Sequence, residues 1–213
     1  MTGPAWEGSG STPLALLTPD RFGPGFLFAW TGINVEGVRA MGQGLIQVYT
    51  GHGKGKTTAA TGLILRALGH GWPVLLVRFL KPIDPVSGEI RLLRDLPGIT
   101  LLEAGVGVID GKADRAEVAT SVKQAFAEAC HRLSEGNFRL VVFDELNNAL
   151  HHEYLGWESV ASFLRERPLA LEVVFTGRHA PMQLLDTADL VTSMEKIRHP
   201  YDQGIPAREG IEF

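Results

Sequence analysis

The chain has 213 residues, 45% of them apolar and 21% charged, with a formal net charge of −4. That length buries a core in one domain, and that composition excludes a disordered chain. The lack of a dense Lys/Arg run argues against a nucleic-acid binder built on phosphate neutralisation, leaving room only for a local basic groove, and the single cysteine, Cys130, excludes an intrachain disulfide or cysteine-rich metal centre.

Residues 1–42 come first and differ from the rest. Gly3, Pro4, Gly8, Gly10, Pro13, Pro19, Gly23, Pro24 and Gly25 interrupt them too often for a helix or a packed strand. A loosely ordered extension is expected, with Phe26–Trp30 docking on the body. No basic residue precedes Arg21, which argues against a secretory signal, and no apolar run reaches the roughly 20 residues of a membrane-spanning helix. The expected location is the cytoplasm, with no membrane partner. A second reading starts translation at Met41; intact mass of the protein from its native host separates the two.

From Leu45 strands and helices alternate. Strands are expected at Leu45–Tyr49, Val74–Leu80, Ile99–Glu103, Leu140–Phe143, Leu171–Thr176 and Leu190–Met194. Helices are expected at Lys56–Leu68, Gly88–Asp95, Ala113–Leu133 and Trp157–Glu166. Cys130 shares a helical face with Val118, Val122, Phe126, Ala129 and Leu133, which makes it a small buried apolar side chain. Continuous apolar strands separated by helices imply a parallel sheet covered on both faces. The expectation is one α/β domain over residues 43–213.

The strongest motif is Thr50-Gly-His-Gly-Lys-Gly-Lys-Thr-Thr58, which leaves an apolar strand and opens a helix. Gly51, Gly53 and Gly55 let main-chain N–H groups approach phosphate oxygens, and the helix N-terminus adds partial positive charge. Lys56 can reach outer phosphates and the Thr57 hydroxyl can ligate Mg²⁺. The glycine arrives one residue late for the usual G-x-x-x-x-G-K-[ST] pattern, at Gly51 rather than position 50. Lys54 reads equally as a phosphate ligand or a solvated lysine, and His52 as a loop residue with its backbone near phosphate. Leu140-Val-Val-Phe-Asp-Glu145 delivers two acids to the same edge of a parallel sheet. A hard cation wants carboxylate oxygens there, so Asp144 and Glu145 are candidate metal contacts; acids after a strand also serve as helix caps.

Together these pieces resemble the ATP:corrinoid adenosyltransferases that make adenosylcobalamin. The resemblance runs from about Gly44 to Phe213, through the loop, Arg66-Ala-Leu-Gly-His-Gly71, Arg78-Phe-Leu-Lys81, Gly88-Glu89 and Asp144-Glu-Leu-Asn147. It continues through Thr176-Gly-Arg178, Ala188-Asp-Leu-Val-Thr192, His199-Pro-Tyr201 and the tail Gly204–Phe213. The late glycine is this family's own form of the loop. The resemblance implies a P-loop NTPase-like (RecA-like), mostly parallel sheet with helices on both faces. It implies that a Co(I) corrinoid attacks C5′ of the ATP ribose and expels triphosphate. ATP positions map onto Gly51, His52, Gly53, Lys54, Gly55, Lys56, Thr57 and Thr58, with Arg66 and Arg178 beyond. Catalytic positions map onto Lys56, Thr57 and Glu145, and Mg²⁺ (or Mn²⁺) onto Thr57 and Glu145 with Asp144 beside them. An electron-donating flavoprotein or other reductase and a homodimer are also implied. The chain departs from the family in carrying Val106 and Val108 where some members have aromatics, Pro82 where a glycine is usual, and no counterpart of a charged N-terminal helix. The residues alone also allow a P-loop phosphotransferase or ATPase, or a non-enzymatic ATP-dependent switch.

Overall fold

The computed structural model describes residues 42–81, 87–104 and 114–213. Expectations for the N-terminal extension, Pro82, Val106 and Val108 fall outside those residues. In chain order the elements are β1 (Ile46–Thr50), α1 (Lys56–Gly69), β2 (Val74–Arg78), α2 (Gly88–Arg94), β3 (Ile99–Glu103) and α3 (Arg115–Glu135). They continue with β4 (Leu140–Asp144), α4 (Leu146–His151), α5 (Trp157–Glu166), β5 (Glu172–Thr176), α6 (Met182–Thr187) and β6 (Leu190–Ser193). A 3₁₀ turn at Pro200–Gln203 follows.

All six strands run parallel, in the order β3-β2-β4-β5-β1-β6. Successive side chains of a strand point to opposite faces, so a strand covered on both sides reads as an unbroken apolar run. In β2, Val74 and Leu76 join α1 and α2 in one core, with Ala60, Ile64, Ile90 and Leu93. Leu75 and Val77 join the opposite core, where α3, α4, α5 and α6 pack. The helices therefore cover both faces, as the sequence pattern implies.

Cys130 is partly buried against that second core, and burial pushes its thiol up to about 11. A thiol so protonated is a packing group rather than a nucleophile. Helix α3 starts at Arg115 because the Asp114 carboxylate accepts the Ala116 N–H at 3.2 Å, and it runs two residues past the expected end. Neither α4 nor α6 is expected from the sequence. Each has six residues, too few for apolar periodicity to register. Strand β2 stops at Arg78, short of the expected Leu80, because Leu80 turns into the left-handed region at φ 57°. Among the described residues no helix is long and apolar enough to cross a membrane.

Candidate functional site

The loop between β1 and α1 is built on close backbone approach. Gly51 (φ 93°) and Gly55 (φ 118°) hold conformations that L side chains resist. The Gly53 N–H donates to the Met194 carbonyl at 2.6 Å, and a Cβ on Gly53 would sit 2.7 Å from the carbonyl oxygens of Met194 and Glu195. Ser193 at the end of β6 and the two residues after it thus form the wall against which the loop is pressed. The Lys56 ammonium folds over the loop and donates to the carbonyls of Gly51 (2.8 Å) and Gly53 (2.7 Å). Lys56 is only 7% exposed, and burial lowers its pKa despite the opposing charge of Glu145. Four main-chain N–H groups at the start of α1 lack intrahelical partners and open toward the same place.

Beside the loop lies a knot of hydrogen bonds centred on Asp144. Strand β5 separates β1 from β4, so their ends lie about 10 Å apart at two strand spacings. Two hydroxyls close that gap: Asp144 Oδ1 accepts from Thr57 (3.0 Å), at the start of α1, and from Thr176 (2.7 Å), at the end of β5. The Lys81 ammonium donates to Asp144 Oδ2 (2.7 Å) and to Thr57 Oγ1 (3.0 Å). Burial alone would raise the Asp144 pKa, but the charge and hydrogen bond of Lys81 and the two threonine hydroxyls hold it below its ordinary value. The left-handed turn at Leu80 is what swings Lys81 over β4.

Glu145 follows Asp144 in a left-handed conformation of its own (φ 66°), with its N–H donating to Thr176 Oγ1 at 3.0 Å. Asn148 Nδ2 donates to its carboxylate at 2.6 Å. Burial first, and the neighbouring Asp144 charge second, raise the Glu145 pKa. Asn147 is fully buried and donates to Gly177 O at 3.1 Å, tying α4 to the end of β5. Arg178 leaves that end exposed, and its charge is felt at both Lys56 and Glu145. A row of imidazoles edges the mouth: His179 meets His52 at 4.9 Å between centroids and stacks on His151 at 4.4 Å. Burial and then the His151 and His52 rings lower the His179 pKa.

The structure therefore gathers Gly51, Gly53, Gly55, Lys56, Thr57, Asp144, Glu145 and Arg178 around one edge of the sheet. Thr58 is exposed in the first turn of α1, and His52 is exposed on the loop. Arg66 is exposed ten residues along α1 from Lys56, about 15 Å at the helical rise. Lys54 is exposed on the loop, and its ammonium pairs with Glu212 at 2.8 Å and with Ile211 O at 2.7 Å. Lys81, Thr176 and Asn147 join the site without having been candidates. All three lie in the motifs that carry the resemblance, but their partners are set by strand order. Among the described residues no three His, Cys, Asp or Glu side chains gather to hold a metal. A cation here would have to take oxygens from a phosphate as well.

Comparison with known proteins gives a consistent result. The family model for ATP:corrinoid adenosyltransferase BtuR/CobO/CobP matches residues 42–213. A corrinoid adenosyltransferase of Sinorhizobium sp is 38% identical over 174 residues, covering 80% of this chain and 81% of that one. Those of Pseudomonas aeruginosa and Escherichia coli K12 are 36% and 34% identical over 171 residues, covering 80% of this chain and 84% and 86% of theirs.

Proposed function

The chain belongs to the ATP:corrinoid adenosyltransferase family, and from that membership we propose how its residues carry the reaction. The protein is an enzyme that transfers the adenosyl group of ATP to a corrinoid in cobalamin biosynthesis. In our reading residues 43–213 form the catalytic domain and 1–42 an extension. The observation that carries the site assignment is Lys56, a buried ammonium folded over three close-packed glycines at a helix N-terminus. Such a loop offers amide donors and one fixed charge to linked phosphates.

The reaction forms a bond from cobalt to C5′ and breaks the bond from C5′ to the triphosphate oxygen, which leaves with the electron pair. The Co(I) substrate is already strongly nucleophilic, so no side chain need remove a proton. What the protein must supply is position and stabilisation of charge on the departing phosphates. Gly51 through Thr58 and Arg178 bind the phosphates, and Lys56 meets the charge that develops as they leave. Arg66 is assigned to the nucleotide on the family resemblance alone.

The residues also fit Mg²⁺ or Mn²⁺. Asp144 Oδ2 and Thr57 Oγ1 both accept from the Lys81 ammonium, which supports placing positive charge at this pair of oxygens. Thr57, Asp144 and Glu145 would hold the metal, and when bound it neutralises phosphate charge. Thr176 keeps Asp144 oriented. A cytoplasmic location, a homodimer and a flavoprotein or other reductase as electron donor rest on the family and composition alone.

An anaerobic assay with ATP, Mg²⁺ and chemically reduced corrinoid tests this reading. The absorbance change of Co–C bond formation should appear with one intact triphosphate per turnover and none without reduced corrinoid. Orthophosphate released without corrinoid would make the site that of a hydrolase or phosphotransferase. No turnover of ATP under any of these conditions would favour a switch module.

A further inference from the structure

The tail of the chain is fastened to the phosphate loop by a clasp that neither the fold nor the reaction requires. Lys54 lies between Gly53 and Gly55, yet both oxygens its ammonium meets come from more than 150 residues away: Ile211 O at 2.7 Å and Glu212 Oε1 at 2.8 Å. The same carboxylate accepts from Arg208, at 2.8 Å from its N–H and 3.2 Å from each of two guanidinium nitrogens. One carboxylate thus serves two cations. These groups line a cleft of about 280 Å³ that Gly53, Lys196 and Arg198 also border. Within the tail, Gly210 N–H bonds Phe213 O, and the N–H groups of Ile211 and Glu212 bond Arg208 O.

Two oxygens at hydrogen-bond distance on one ammonium are what a phosphate edge also presents. A triphosphate brings several negative charges where Glu212 brings one, and the exposed pair it would replace is a weak one. We propose that Glu212 and the phosphates of ATP compete for Lys54, so that nucleotide binding unfastens the C-terminal tail from the loop. Glu212 is then a positioning residue: it parks Lys54 on the tail and sets how readily that lysine reaches substrate. Hydrogen bonds from Arg208 and Lys54 hold the Glu212 carboxyl down at about 2, so the clasp stays charged throughout the neutral range. The inference rests on the loop being the phosphate site.

Hydrogen exchange at the amides of Gly210, Ile211 and Glu212, measured alongside equilibrium ATP binding, tests it. In the wild type, Mg-ATP or inorganic triphosphate should speed exchange in the tail, and adenosine should not. Glu212→Gln should show fast tail exchange from the outset and bind ATP about two- to fivefold more tightly, the scale of one exposed ion pair. Glu212→Asp should restore the ATP dependence in part, and Lys54→Met should abolish it. Wild-type protein that binds ATP with no change in tail exchange overturns the clasp alone, as does Glu212→Gln binding ATP equally or more weakly. Failure of the wild type to bind ATP at all would remove the phosphate-site reading and the clasp with it.

Discussion

Lys56 is a charge kept mostly out of water, and two loop carbonyls are what make that tolerable. Its pKa is lowered first by burial, so the loop already bears part of the cost of placing a cation where phosphate charge will grow. Lys56→Ala removes that donor from the leaving group. Turnover in the anaerobic assay should drop by ~10²–10³, the usual effect of deleting one preorganised electrostatic donor. Near-normal turnover would mean that the loop does not face the triphosphate. Lys54, two residues earlier, shows how little residue type alone decides. Both lysines follow a glycine of the same loop, but the Lys54 side chain leaves the loop for the tail.

At the scale of elements, the site is made where strands end. Three of the non-glycine residues with positive φ, Leu80, Glu145 and His179, fall at or just past the ends of β2, β4 and β5. Each such turn costs of order 1 kcal/mol, and the cost is borne where side chains must be re-aimed over the sheet edge. The loop meets the residues that leave the end of β6 just as tightly. Gly53→Ala would put a methyl within 2.7 Å of two carbonyl oxygens, which must shift the loop backbone. We expect a loss of about 1–3 kcal/mol in stability, read by denaturant unfolding, together with weakened ATP binding. Gly62→Ala is the contrast. Its methyl meets nothing within 4 Å on the exposed side of α1, so it should raise stability by about 0.5–1 kcal/mol. If the two substitutions behaved alike, packing of the loop on β6 would not be what fixes its shape.

Across the whole molecule, the groups we assign to the phosphate site arrive from the loop after β1, from α1 and from the ends of β4 and β5. A ligand that bridges so many segments binds the folded state and not the unfolded chain. ATP at 100 times its Kd should therefore add about 2.7 kcal/mol of stability. At roughly 2–4 °C per kcal/mol for a domain of this size, Tm should rise by about 5–10 °C in a calorimetric scan. Adenosine lacks the phosphates and should give little of that shift. An equal shift with adenosine would place the binding energy at the base instead of the loop.

Much of this was legible in one dimension. The glycine-lysine-threonine loop, the apolar strand ending in Asp144-Glu145 and the alternation of strands with helices are local patterns, fixed by backbone freedom and by burial on two faces. They carry fold class, family and the end of the site we assign to phosphate. The tertiary structure alone decided which groups share that end. With β5 lying between β1 and β4, Thr176 becomes a hydrogen-bond partner of Asp144; the turn at Leu80 brings Lys81 in as a cation; the return of the tail claims Lys54. Strand order and chain return are long-range choices, and no spacing along the sequence encodes which side chains they bring within 3 Å.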